Sequence, residues 1–205
     1  IYYIKIIENK AKNTLLYVPK SIERIVKYNF PNIQVFVGNE NVPESLYDIS
    51  MPELLTLCYS ETDLMNIPYS SGYLSVANSE IKEKSKLNIF DNQKKKVGIF
   101  WQGNPTILLN RSIELAELLP LFDIPNIQIY SFQVSRIDEK SENLKKTLPL
   151  IDLSSYIKDY TDTGIFLKNI DILVTIDTSI VHLAGAMGIK TFLLLPYDSE
   201  WRWSS

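Results

Sequence analysis

ILVTIDTSIVHLAGAMG, residues 172–188, opens with five residues that are apolar but for Thr175 and closes on a run of small side chains. An almost unbroken apolar run suits a strand buried on both faces, the habit of parallel sheets covered by helices. Ile172 to Ile176 is therefore expected as a strand and Ile180 to Met187 as the helix after it. Thr191 to Leu195 is a second apolar run, so the unit reads strand, helix, strand.

The same rhythm extends upstream. Val97 to Trp101 reads as a buried strand, Ser112 to Phe122 as a helix, Ile127 to Phe132 as a strand, then a loop and a helix from Thr161 to Ile170. Alternation of this kind implies a parallel α/β sheet. Nearer the start, Ile1 to Lys10 resembles the end of a helix entered midway. Thr14 to Val18 and Ile33 to Val37 read as strands around a helix from Ser21 to Tyr28, and Leu46 to Ile49 and Leu54 to Tyr59 extend that lobe. Between Ser79 and Lys96 the composition turns to Lys, Glu, Asn and Gln, which marks a boundary. Two lobes are therefore expected, residues 1–80 and 97–205, with a linker at 81–96.

Composition narrows the function. The 205 residues include 21 basic and 24 acidic side chains, so there is no basic footprint of the kind that tracks nucleic acid, and nucleic acid is not expected as a partner. The one cysteine, Cys58, lies in an apolar run and reads as an inert buried thiol. No apolar stretch reaches the roughly 20 residues of a membrane span. A cytoplasmic location is the expectation, peripheral association with the inner membrane remaining compatible with it. No Gly-rich dinucleotide fingerprint, P-loop or His/Cys metal cluster occurs, and no cofactor or metal is expected.

Ligands of open parallel sheets bind beyond the carboxyl ends of the strands, which directs attention to three loops. The first is Asp177-Thr178-Ser179-Ile180-Val181-His182. A helix N-terminus carries unpaired N–H groups and partial positive charge, so it attracts phosphate oxygens. Thr178 and Ser179 add hydroxyls, and His182, the one histidine, adds a ring donor in the first turn. Asp177 would repel a diphosphate and is expected to accept backbone N–H bonds and hold the loop. Simple helix capping by Asp177 or Ser179 explains the same residues. The second loop, after Trp101, offers Gln102, Gly103 and Asn104, with Ser112 as a cap and Arg111 ahead of it as a phosphate clamp or a surface arginine. The third carries Trp201-Arg202-Trp203, suited to stacking a base or sugar, or to closing the edge of the sheet.

Taken in order, Val97-Gly98-Ile99-Phe100-Trp101-Gln102-Gly103-Asn104-Pro105, Asn110-Arg111-Ser112, Asp159-Tyr160-Thr161-Asp162-Thr163, the 176–188 stretch, and Leu195-Pro196 with Trp201-Arg202-Trp203 cover about half the chain. They resemble the C-terminal domain of bacterial glycosyltransferases related to family 9, the heptosyltransferase family, in the variant found after tetratricopeptide repeats. The resemblance implies a GT-B fold of two Rossmann-like lobes, the chain being incomplete at both ends, with the nucleoside-diphosphate-sugar donor held by the C-terminal lobe. It implies a donor-diphosphate loop at Asp177, Thr178, Ser179 and His182, with Arg111 near the phosphates. Gln102, Gly103, Asn104, Trp201 and Arg202 are weaker members of the donor pocket. It implies sugar transfer to a glycan, lipid-linked glycan or protein without a bound metal, and helical repeats upstream. The catalytic base of the family lies on a loop expected upstream of Ile1, so no residue is assigned to it. Two other readings stay open: a catalytically inactive GT-B-like binding or scaffold module, and an unrelated Rossmann-like nucleotide binder.

Overall fold

The computed structural model describes residues 4, 7, 11, 13–38, 40, 43, 49, 50, 53, 72–91, 93–103, 111–134, 137–197 and 203. The expected elements at 46–49 and 54–59 fall outside these residues except for Ile49, as do Cys58, Asn104, Trp201 and Arg202.

Two parallel sheets form. The first pairs β1 (Leu15–Val18) with β2 (Gln34–Val37) through a 3-10 turn and helix α1 (Glu23–Asn29). Alternate residues Leu16, Val18, Val35 and Val37 are buried, as a period of two requires when one face is covered. Helix α2 (Asn78–Ser85) follows, then β3 (Lys95–Phe100), a 3-10 segment (Leu115–Asp123), β4 (Ile127–Ser131), α3 (Glu139–Thr147), β5 (Leu150–Asp152), α4 (Tyr160–Leu167), β6 (Ile172–Ile176), α5 (Ser179–Ala186) and β7 (Thr191–Leu194). The second sheet runs β5-β4-β3-β6-β7, all parallel. The chain builds outward from β3 through β4 to β5, then crosses back to lay β6 on the other side of β3. This reversal is a topological switch point, and it opens a crevice beyond the carboxyl ends of β3 and β6.

Both faces of the larger sheet are covered. Val97, Ile99, Trp101, Ile129 and Val174 pack with Leu115 and Leu118 on one side. Phe100, Tyr130, Phe132, Leu173 and Ile176 face α4 and α5 on the other, in a cluster that continues through Phe166 and Met187 to Ile25, Phe30 and the buried residues of β1 and β2. Arg24 of α1 ties the same junction electrostatically, reaching Glu80 at 2.6 Å and the α4 N-cap Asp159 at 2.8 Å. Among the described residues no helix is long and apolar enough to cross a membrane.

Several sequence expectations need correction. The segment expected as a loop between Phe132 and Thr161 holds α3 and β5, and the polar stretch after Ser79 contains most of α2. The expected helix at Ser112 to Phe122 is a 3-10 segment that starts only at Leu115. Pro120 inside it lacks the N–H an α-helix would use there. Ser112 does not cap that segment: its hydroxyl accepts the Gly103 N–H at 3.0 Å, joining the two ends of the loop after β3.

Candidate functional site at the switch point

Strand β6 ends at Ile176, and the next residue, Asp177, is 3% exposed beneath the start of α5. Thr178 is the N-cap residue with an extended backbone (φ −144°, ψ 177°), yet its side chain makes no capping hydrogen bond. The Val181 N–H donates to the Thr178 carbonyl at 3.1 Å, and the N–H groups of Ser179 and Ile180 receive no side-chain cap from Thr178. Helix geometry decides which side chains stay outside: Ile180, Val181, Leu183, Ala184 and Ala186 are buried against the sheet and α4, while Ser179 and His182, three residues apart, share the exposed face.

Polar groups from three other segments converge here. Arg111 Nη1 lies 3.1 Å from Asp177 Oδ2 and donates to the Asp177 carbonyl oxygen at 3.5 Å. The Tyr160 hydroxyl, at the start of α4, donates to Ser179 Oγ, so α4 and α5 are linked at their amino ends. His182 Nε2 is 4.0 Å from Asp177 Oδ1, and its ring stacks on Trp203 with centroids 5.2 Å apart and planes 12° from parallel. The loop after β3 closes the crevice from the other side, since a Cβ on Gly103 would stand 3.6 Å from Thr178 Cγ2. Asp177 Oδ1 and Thr178 Oγ1 are both buried without a hydrogen-bond partner. Each such atom costs about 1–3 kcal/mol, so two side by side at one loop mark a place where donor groups belong.

The structure therefore brings Asp177, Thr178, Ser179, His182 and Arg111 together and places Gly103 beside them. The Gln102 side chain accepts the Asp138 N–H through Oε1 at 3.1 Å. Asp177 differs from expectation, because among the described residues its carboxylate meets the side chains of Arg111 and His182 rather than backbone N–H groups. The cause is position. Asp177 sits before the N-cap, and burial at the strand end directs its oxygens toward the loop that carries Arg111. Tyr160 and Gln133 are site residues that sequence reasoning did not assign, while Trp203, read as able to stack a base or sugar, stacks on His182. Tyr160 was legible as the residue after a capping aspartate, for Asp159 accepts the N–H groups of Thr161 and Asp162.

One strand further along the same edge lies a cavity of about 730 Å³ lined by Gln133, Val134, Glu142, Lys145, Asp152 and Ser154, among others. Gln133, 2% exposed, joins it to the switch point: its Oε1 accepts the N–H groups of Trp101 and Gln102 at 3.2 and 3.0 Å, and its Nε2 donates to the Gln102 carbonyl at 2.7 Å. Burial pushes the Asp152 carboxyl up, but Lys145 at 2.7 Å and the Ser154 N–H outweigh it and hold the group below its usual range. Among the described residues no group of three or more His, Cys, Asp and Glu side chains could hold a metal ion. Compared with protein-family models, with curated proteins and with solved structures, the chain matches none.

Proposed function

We propose that the chain binds a nucleoside-diphosphate sugar along the carboxyl edge of its larger sheet and transfers the sugar to a glycan, lipid-linked glycan or protein acceptor, as a GT-B-type glycosyltransferase. The observation that carries the reading is the N-terminus of α5 at the switch point, without a side-chain cap from Thr178 and with Ser179, His182 and Arg111 around it. The diphosphate lies against the first-turn N–H groups, and the cavity beside Gln133 and Asp152 receives the nucleoside. The motif resemblance over about half the chain supports the same assignment.

In the reaction the bond from the sugar C1 to the distal phosphate oxygen breaks, its electron pair leaving with the nucleoside diphosphate. A bond forms from the acceptor oxygen to C1, and the acceptor proton passes to a base not assigned to any residue of this chain. Negative charge grows on the leaving diphosphate, where the helix dipole, the His182 ring and the Ser179 hydroxyl are already oriented and no metal is invoked. Arg111 contributes less than a lone guanidinium would, since Asp177 offsets its charge at 3.1 Å. That ion pair favours a second reading, a module that keeps the donor site without catalysis.

Transfer and donor hydrolysis, assayed with adenosine, uridine and guanosine diphosphate sugars, separate the two readings. Turnover that is lost in Ser179→Ala with His182→Gln supports the enzyme; donor binding without turnover in the full-length protein supports the module. Failure of all the donors to bind would refute both.

A further inference from the structure

We infer that Asp177 is a positioning residue acting through His182: it is the counter-ion of a protonated imidazole, so that anion binding at the α5 N-terminus takes up one proton. The inference rests on the reading of that helix end as the donor-phosphate site and adds to it how the site acquires its charge.

Arg111 and Asp177 lie 3.1 Å apart and cancel, so with a neutral His182 the cluster carries no net charge. Protonating His182 makes it positive. Geometry gives the reason for doing so. Asp177 Oδ1 is buried and has no hydrogen-bond partner, although its other oxygen holds Arg111. His182 Nε2 lies 4.0 Å from that oxygen. Stacking on Trp203 at 12° fixes the plane of the ring.

A neutral imidazole has one N–H and can serve either the carboxylate or an anion; only the doubly protonated ring donates to both. A bound phosphate therefore recruits the proton, and Asp177 gains the donor it lacks. The indole face of Trp203 also favours a cationic ring. Charged and titratable groups on the neighbouring segments include Arg111, held on the far oxygen of Asp177, and Tyr160, hydrogen bonded to Ser179 three residues before it. Arg111 opposes protonation, but from beyond the carboxylate, and His182 is 46% exposed, so desolvation opposes it weakly.

The chain has a single histidine, which gives one imidazole signal to follow by NMR. The probes are inorganic sulfate, ADP-glucose and UDP-glucose, none of which titrates near neutrality, so any proton taken up belongs to the protein. The imidazole pKa is expected to be higher in the complex than in the free protein. Affinity should fall by up to about tenfold per pH unit between those two values and be flat outside them, with about one proton bound per ligand in calorimetry across buffers of different ionisation heat. Asp177→Asn should lower the imidazole pKa of the free protein and remove the uptake while an anion still binds. Should that variant fail to fold, His182→Gln, altered on the exposed helix face, should bind with an affinity independent of pH. Equal imidazole pKa values with and without ligand, or undiminished proton uptake in His182→Gln, would overturn the inference and leave the donor site standing. Binding of none of the probes at any pH would overturn the donor site as well.

Discussion

Replacing Gly72 by alanine should loosen the whole of α5 from its far end. Gly72 has φ +76°, and a Cβ built on it would stand 2.5 Å from both Gly188 N and Met187 C. Neither atom belongs to a side chain that can swing aside. The two residues that follow, Tyr73 and Leu74, both donate their N–H groups to the Ala186 carbonyl, at 2.6 and 2.7 Å, and so fasten the C-terminus of α5. A left-handed backbone costs an alanine about 1–2 kcal/mol, and forcing a methyl into filled space about 1–3 more. Reduced freedom of the unfolded chain returns roughly 0.4–1 kcal/mol. The net loss expected is therefore about 2–4 kcal/mol. Gly38 provides the control: its φ is +62° with nothing within 4 Å of a built Cβ, so Gly38→Ala should cost about 1 kcal/mol from the backbone term alone. With a urea slope of about 2 kcal/mol/M, the two midpoints should differ by about 1 M in urea unfolding followed by circular dichroism. Equal midpoints would mean that the 72–74 segment does not seat on α5. Because α5 is a rod of about 12 Å, Gly72→Ala should also weaken sulfate binding at the opposite end, whereas Gly38→Ala should leave it alone.

Three further outcomes follow from the same geometry. Arg111→Ala leaves the buried Asp177 without its cation and should cost about 2–4 kcal/mol by urea unfolding, most of it recovered when Asp177→Asn is added; no recovery would mean that the pair is not the cause. Tyr160→Phe should weaken anion binding by about 0.5–1.5 kcal/mol in the parent and by nothing in a Ser179→Ala background, because the phenol acts only through that hydroxyl; an unchanged loss in both backgrounds would refute this. The Ser141 N–H holds the Asp138 carboxyl below its usual range, so this helix cap stabilises the protein above the unfolded Asp value of about 3.9 and is lost as pH falls through the lower folded value. Asp138→Asn should thus be less stable than the parent near neutrality and converge with it in acid, which urea midpoints across pH will show.

The larger sheet was legible where burial writes itself into the sequence. Ile172–Ile176 matches the expected strand end to end, and α5 begins one residue before its expected start. Apolar runs of that length have few other uses. Helix α3 left no such trace: in EKSENLKKT only Leu144 is a large apolar residue, so no amphipathic period rises above the polar background. Its start signal was present, since Asp138 accepts the N–H of Ser141 in the manner of an N-cap, but a cap without a buried stripe behind it is ambiguous. Strand β5, Leu150–Asp152, is too short to be read from periodicity. At the site, the helix start and its donors could be read in one stretch because they are neighbours in sequence. The contacts of Arg111 with Asp177, Tyr160 with Ser179 and Trp203 with His182 join segments that are distant in sequence, and no local pattern encodes such pairs. Asp177 shows the consequence: its type suggested a backbone cap, and its burial made it the partner of a cation.

Amide chemical shifts recorded while a nucleoside-diphosphate sugar is titrated into the protein bear on the donor site without passing through any variant. ADP-glucose and UDP-glucose are the probes, and the largest changes are expected at the N–H groups of Ser179 and Ile180, with smaller ones at Gly103 and Gln133. Shifts that leave the first turn of α5 untouched, or none at concentrations well above those of ordinary sugar-nucleotide binding, would contradict the assignment of that helix end to the donor diphosphate.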